Sequence, residues 1–249
     1  MDSSSGPAPA ASSGHGFATT HWSLVVSAGK PGGGEAREAL SSLCQRYWFP
    51  LYAYVRRRVP GLHEAQDLTQ EFFLRLLEKN ALASAAPERG RFRSFLLASL
   101  DNFLANEWDK ARAKKRGGGA PALPLDLSTG ESRLNLEPAH NLTPERLYER
   151  EWTLTLLGLA MDRLQADCES TGKLRQFELL KGALAGGGES MSYASIAAEL
   201  GMTEEAARQA AHRLRKRYRE LLRAEVAQTV SDPSEVDEEI RSLLTTLGS

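Results

Sequence analysis

Apolar residues recur every three or four positions along most of this chain, a spacing that predicts helices. Three such segments cover the first half, at residues 35–59, 63–79 and 92–116, and we expect Pro50 to kink the first. No segment alternates with the two-residue period of a strand, so the sequence predicts an all-α protein. The positions expected to face inward are Leu40, Leu43, Tyr47, Leu51 and Tyr54, then Leu68, Phe72, Leu76 and Leu77, then Phe92, Phe95, Leu96, Leu100 and Phe103.

The periodicity stops in a segment rich in Gly, Pro and Leu at residues 117–143, which we interpret as a flexible linker. Asp126 and Glu131 within it are expected to be solubilising charges. Helical spacing resumes after the linker, at Leu147, Leu154, Leu157, Met161 and Leu164, then Leu174, Phe177, Leu180 and Leu184. The sequence therefore predicts two small helical domains joined by this linker.

Residues 192–222 contain the most informative pattern in the chain. Two short amphipathic helices are predicted there, with a turn at Gly201, where a left-handed residue ends the first. Thr203 is expected to cap the second, with Glu204 and Glu205 in its first turn. Two helices with a short Gly turn are typical of a DNA-binding helix-turn-helix.

The second of these helices separates apolar and polar residues onto opposite faces. Any amphipathic hairpin with a solvated basic face gives such a pattern, and that alternative stays open. Small alanines, the short turn and the basic clustering favour nucleic-acid binding. The polar positions are Arg208, Gln209, His212, Arg213 and Lys216, opposite Ala207, Ala211, Leu214, Tyr218 and Leu221.

Charge and cysteine content restrict the possible functions. The formal net charge is -1 over 249 residues, so a DNA-binding surface requires local segregation of charge. Cys44 and Cys168 have no paired spacing, which indicates a reducing cytoplasm and argues against a disulfide framework or zinc site. Neither the five histidines nor any Gly-rich loop suggests a metal site, a cofactor or catalysis. Residues 1–16 are expected to be a disordered tail, and no stretch is apolar for long enough to span a membrane.

Three motifs occur in the order found in bacterial RNA polymerase sigma factors. Residues 64–76 (EAQDLTQEFFLRL) resemble the acidic helix that docks on polymerase, and residues 91–97 (RFRSFLL) with Asn102 resemble the minus-ten reader. Residues 193–222 resemble the minus-thirty-five reader, although Ala210 stands where many members have a basic residue. The chain is similar to the extracytoplasmic-function (ECF) group. This resemblance implies sigma domain two at residues 17–116, the linker at 117–143, sigma domain four at 144–228 and an acidic amphipathic tail at 229–249.

The resemblance also implies functional residues and partners. The partners are core RNA polymerase and promoter DNA in the cytoplasm, without a membrane, and an anti-sigma factor or a Ser/Thr kinase acting at Thr69 is a further candidate. Thr69 as an ordinary helix residue is the simpler alternative. A helix-turn-helix regulator that never docks on polymerase is the alternative function. The residues implied are Asp67, Gln70 and Glu71 for polymerase; Arg91, Arg93, Asn102, Arg112, Lys114, Lys115 and Arg116 for the minus-ten region; and Arg208, Gln209, His212, Arg213 and Lys216 for the minus-thirty-five region.

Overall fold

The computed structural model describes residues 21, 34–77, 90–113, 125–135, 142–184 and 192–248, and the regular structure within these residues is entirely helical. The all-α prediction is therefore confirmed. Two short 3-10 turns, Lys181–Ala183 and Pro233–Glu235, accompany the α-helices. The helices are α1 Gly34–Arg58, α2 Leu62–Leu77, α3 Phe92–Ala113, α4 Leu127–Asn135, α5 Pro144–Ser170, α6 Leu174–Leu180, α7 Tyr193–Leu200, α8 Glu204–Ala227 and α9 Val236–Thr245.

The main core is rich in aromatic residues and lies between α1, α2, α3 and α5. The predicted inward positions of α1 are all buried, and Pro50 lies inside that helix, which continues to Arg58. Phe92, Leu96, Leu100 and Phe103 of α3 are also buried, whereas Phe95 is only partly covered. We refer to this cluster as the aromatic core.

Helix α5 belongs to two clusters at once. Its first half enters the aromatic core, where the Trp152 ring stacks on Tyr47 of α1 with centroids 4.6 Å apart and planes 15° apart. Its second half supplies Ala160 and Leu164 to a cluster with Phe177. The predicted linker therefore separates helices that pack together, since α1 and α5 lie on either side of it. The division into domains at residues 117–143 stays a prediction.

A helix forms where the sequence analysis expected irregular chain. Helix α4 lies within the predicted linker and packs against α1, with Gly130 against Trp48. Glu131 accepts a hydrogen bond from the Tyr52 hydroxyl (2.8 Å) and pairs with Arg56 (3.3 Å). The expectation that Glu131 is only a solubilising charge is therefore wrong.

The C-terminal residues pack into the fold. Helix α9 lies against α8 and α5, with Val236 and Leu243 buried in the aromatic core. Leu244 and Leu247 point outward and are partly exposed. Among the described residues, no helix is long and apolar enough to cross a membrane.

Candidate polymerase and nucleic-acid interfaces

Helix α2 has an apolar face toward the aromatic core and a polar face toward solvent. Asp67 is exposed, while Gln70 and Glu71 are half-buried. The Glu71 carboxylate accepts a hydrogen bond from Nε of Arg75 (2.8 Å), and Arg75 also pairs with Glu107 of α3 (2.6 Å). Of the three residues predicted to contact polymerase, Asp67 is thus the most exposed, and Glu71 is held within a network that joins α2 to α3.

Thr69 lies on the buried side of the same helix. Its side chain is inaccessible, and its hydroxyl donates a hydrogen bond to the carbonyl oxygen of Ala65 (2.7 Å). A kinase requires an accessible hydroxyl, so this position contradicts the expectation that Thr69 is a phosphorylation site. The structure favours the simpler alternative of an ordinary buried helix residue.

Helix α3 carries the residues predicted to contact the minus-ten region. Asn102 is exposed, next to Asp101, which accepts hydrogen bonds from Tyr54 and Arg58. The guanidinium of Arg58 also lies 5.0 Å from the Trp108 ring centroid. The Asn102 side chain is therefore accessible, and hydrogen bonds and ring contacts hold the residues around it in place. The structure does not describe the side chains of the basic cluster, Arg112, Lys114, Lys115 and Arg116. Most of the loop between α2 and α3, residues 78–89, also lies outside the described residues.

Arg93 occupies a different environment from the one predicted. Its side chain is only 6% exposed, and its Nε lies 2.8 Å from Glu239 of α9 and its Nη1 2.8 Å from Glu149 of α5. Arg91 is half-buried and pairs with the other oxygen of Glu239 (2.7 Å). Asn102 is nine residues from Arg93, about two and a half helical turns, so the two point to opposite sides of α3. The structure does not bring them onto one surface.

The ion pairs around Arg93 determine its protonation. Burial alone disfavours the charged guanidinium, but hydrogen bonds and charge from Glu239 and Glu149 outweigh it and raise the pKa of Arg93. Below it, the Tyr148 hydroxyl donates a hydrogen bond to the carbonyl oxygen of Arg93 (2.8 Å). The first turn of α3 is therefore fixed by residues of α5 and α9.

Helices α7 and α8 follow each other across a short turn and pack together, whereas their assignment as a helix-turn-helix stays a prediction. Gly201 ends α7 in the left-handed region with φ 63°, which a residue without Cβ adopts most easily. The Thr203 hydroxyl caps α8 by accepting a hydrogen bond from the N–H of Ala206 (3.2 Å). The two helices share a buried cluster in which four alanines let the backbones approach closely: Ala197, Ala207, Ala210 and Ala211, with Ile196 and with Leu180 of α6. We refer to it as the alanine cluster.

Burial explains one difference from the family pattern in this region. Ala210 is only 6% exposed and faces the alanine cluster. A basic side chain at that position would have to enter the cluster, so the residue present is the one that the packing requires.

The polar face of α8 is open to solvent. Arg208, Gln209, His212, Arg213 and Lys216 are all exposed. Arg208 pairs with Glu204 one turn earlier (2.5 Å) and lies 5.6 Å from the Tyr193 ring centroid. Gln209 likewise donates a hydrogen bond to Glu205 (3.3 Å). The structure therefore brings the five predicted residues together on one accessible helix face.

Three residues with central positions were not selected from the sequence. Glu239 was assigned to an acidic tail, Trp152 lay between the leucines selected for α5, and His21 lay in a segment without periodicity. The backbone N–H of His21 donates to the carbonyl oxygen of Gln228, and its ring lies between Tyr47 and Phe92. Burial and the charge of Arg46 lower the pKa of His21 to about 3, although a hydrogen bond with Gln228 opposes the shift. The histidine is therefore a neutral core residue.

The described residues contain no cluster of His, Cys, Asp and Glu that could hold a metal ion. Burial raises the pKa of the Cys44 thiol to about 12, and burial next to Asp167 raises the pKa of Cys168. Both thiols are therefore poor nucleophiles at neutral pH.

Comparison with known proteins identifies one segment of the chain. Residues 43–114, from the middle of α1 through α3, match the family model for Sigma-70 region 2. No curated protein and no solved structure matches the chain. The matched segment contains the acidic face of α2 and the predicted minus-ten surface of α3. The match shows that residues 43–114 are similar to region 2 of the sigma factors, which act in promoter recognition with RNA polymerase.

Proposed function

We propose that the chain is a sigma factor of the ECF group that docks on core RNA polymerase and directs initiation at promoters of its own. Helix α2 docks through Asp67, with Gln70 and Glu71 beside it. Helix α3 and the loop before it read and melt the minus-ten element, and α8 reads the minus-thirty-five element. Because polymerase and promoters lie in the bacterial cytoplasm, the protein acts there.

The observation that carries this proposal is the combination of two surfaces in one chain. A sigma-70 region 2 precedes a helical pair whose second helix exposes Arg208, Gln209 and Arg213 together. Arg and Gln side chains can bind guanine and adenine edges in the major groove with two hydrogen bonds each. A regulator that binds DNA without docking has no need of the region 2 segment, so this segment favours a polymerase subunit.

The decisive experiment is in vitro transcription with core polymerase and a pool of genomic DNA. We expect new transcripts that depend on the added chain and share an upstream sequence. The docking surface is tested by pull-down of core polymerase with Asp67→Arg, which should abolish binding because it reverses the charge of an exposed contact. Asp162→Arg is the matched control, since Asp162 is also exposed but lies on α5, outside the matched segment.

Two outcomes would contradict parts of the proposal. Equal recovery of polymerase by wild type and Asp67→Arg would exclude docking through this face of α2. Sequence-specific DNA binding without any recovery of polymerase would instead support the regulator.

A further inference from the structure

The two arginines that flank Phe92 are bound by a single carboxylate. Glu239 places one oxygen 2.8 Å from Nε of Arg93 and the other 2.7 Å from Nε of Arg91. The carboxylate is only 1% exposed. A phosphate offers paired guanidinium groups the same arrangement, two anionic oxygens on one centre. Arg91 and Arg93 thus form an anion site, and Glu239 occupies it.

The rest of the C-terminal segment closes the same end of α3. The backbone N–H of Phe92 donates a hydrogen bond to the carbonyl oxygen of Thr229 (2.8 Å). On α9, the Ser242 hydroxyl accepts a weaker one from Nη2 of Arg93 (3.4 Å). The start of α3, which lies within the matched segment next to Arg91 and Arg93, is therefore covered by residues that follow α8.

The contact between α9 and the start of α3 has the properties of a reversible contact. Helix α9 has ten residues, too few to be stable alone in water, so its order depends on docking. It packs chiefly against α8 and α5, which lie outside the segment that matches region 2. A buried ion pair contributes little net stability, because desolvation offsets the attraction between the charges. Exchange of the Glu239 carboxylate for a phosphate keeps both guanidinium groups paired, so the electrostatic part of the exchange costs little.

We propose that α9 is an intramolecular competitor of nucleic acid: in the free chain, Glu239 occupies the arginine pair, and a backbone phosphate of melted DNA displaces it. This inference rests on the proposed function, which makes Arg91 and Arg93 contacts for promoter DNA. It adds a specific role for the last helix, which would weaken DNA binding by the free chain at this surface.

The test compares Glu239→Gln with Asp237→Asn in the full chain. Both changes remove one negative charge from α9, but Asp237 is exposed and pairs with Arg223 of α8 rather than with the arginine pair. The probe is a fluorescent single-stranded oligonucleotide of random sequence, titrated over a range of salt. We expect Glu239→Gln to bind roughly tenfold more tightly at low salt, with a salt slope steeper by about 0.7, since the arginine pair gains one single-strand phosphate contact.

Further variants assign the effect to the arginines. Adding Arg91→Ala to Glu239→Gln should remove most of the gain in affinity, because one of the two guanidinium groups that hold the phosphate is lost, whereas Asp237→Asn should behave as wild type. An unchanged affinity and slope for Glu239→Gln would overturn the inference and leave Arg93 a structural residue. An equal gain in both single variants would overturn it too, because net charge alone would then explain the binding.

A second measurement uses the wild-type chain and does not depend on how a variant folds. Hydrogen exchange at residues 236–245 should become faster as the oligonucleotide saturates the chain, and unchanged protection would overturn the displacement. This readout involves no polymerase. If the chain does not support transcription but α9 still loses protection when the oligonucleotide binds, the proposed function is refuted. The competition between α9 and nucleic acid is then still supported.

Discussion

At the start of α3, Arg91 and Arg93 lie against a carboxylate, and Arg93 is almost inaccessible; on α8, Arg213 and Lys216 are exposed. Both surfaces are proposed to bind DNA. One has its cations bound inside the protein, while the other has them in solvent. The difference indicates that DNA binding at α3 requires a rearrangement and that binding at α8 does not.

The packing beneath each surface explains this contrast. The aromatic core under α3 is wide, and residues far apart in sequence converge on it, including Val236 and Leu243 of α9. The alanine cluster under the first half of α8 consists mostly of alanines packed closely together, so the long polar side chains there project outward. The aromatic core can therefore enclose an ion pair at its edge, whereas the alanine cluster cannot.

The largest expected effect on stability distinguishes the aromatic core from the alanine cluster. Trp152→Ala should lower the free energy of unfolding by about 3–5 kcal/mol, because it removes a fully buried ring that joins α5 to α1. Ile196→Ala, in the alanine cluster, should cost about 2–3 kcal/mol. Denaturant titration measures both costs, and hydrogen exchange locates them.

Hydrogen exchange also tests how far each effect extends. Trp152→Ala should accelerate exchange in α1, α5 and α8, whereas Ile196→Ala should act mainly on α6 to α8. If Trp152→Ala leaves the exchange of α8 unchanged, the two units are energetically independent, and the packing of α5 does not couple them.

Protonation provides a second test, through one histidine in each region. The pKa of His21 is about 3 in the folded chain, below the ordinary value of about 6.5. As pH falls, His21 is protonated in the unfolded chain before it is protonated in the folded chain. The stability that the neutral His21 contributes is therefore fully present above about pH 6.5, and it falls by up to about 1.4 kcal/mol per pH unit as pH decreases toward 3. His21→Gln should reduce the loss of stability between pH 7 and pH 5.

The matched control for this test is on α8. His212 is exposed on α8, so His212→Gln controls for the loss of a histidine outside the core. The measurement is the difference in unfolding free energy between pH 7 and pH 5 for each chain. If wild type and His21→Gln lose the same amount, protonation of His21 does not limit acid stability.

Local pattern was sufficient to predict most helices, including α8. Periodicity placed α1, α2, α3, α7 and α8 within a few residues, and Gly201 and Thr203 end and cap the helices as expected. These features depend on neighbours within one or two turns. The exposed polar face of α8 could be predicted for the same reason.

The features that pattern did not predict depend on residues distant in sequence. Arg93 and Glu239 are 146 positions apart, so nothing near either residue indicates that the two meet. Trp152 was overlooked because α5 has partners on two sides, α1 and α8, and its apolar residues do not form a single stripe. Helix α4 was missed because its stability comes from packing on α1 rather than from its own periodicity.

A smaller effect is expected where α4 meets α1. A Cβ at Gly130 would lie 2.5 Å from Cη2 of Trp48, so Gly130→Ala should cost about 1–3 kcal/mol through overpacking. Gly158→Ala is the matched control: it is also a helical Gly→Ala change, but no atom lies within 4 Å of the new Cβ. The control should gain about 0.5–1 kcal/mol from helix propensity. Equal effects in a denaturant titration would show that α4 does not pack tightly on α1.

The last prediction concerns α8, whose exposed side chains should divide into base readers and phosphate contacts. Arg208 lies in the first half of the helix, held by Glu204 near the Tyr193 ring, while Lys216 lies two turns further along. The first turns of a recognition helix reach base edges, and later ones pass the backbone. Arg208→Ala should therefore reduce affinity for the preferred site about tenfold and relax the preference at one upstream base pair. Lys216→Ala should weaken all sites alike and lower the salt slope by about 0.9.

A base-by-base binding scan of both variants, on the promoter found by transcription, decides between these roles. A uniform loss for Arg208→Ala would make Arg208 a phosphate contact and would rotate α8 in the groove, so that Gln209 and Arg213 would become the candidate readers.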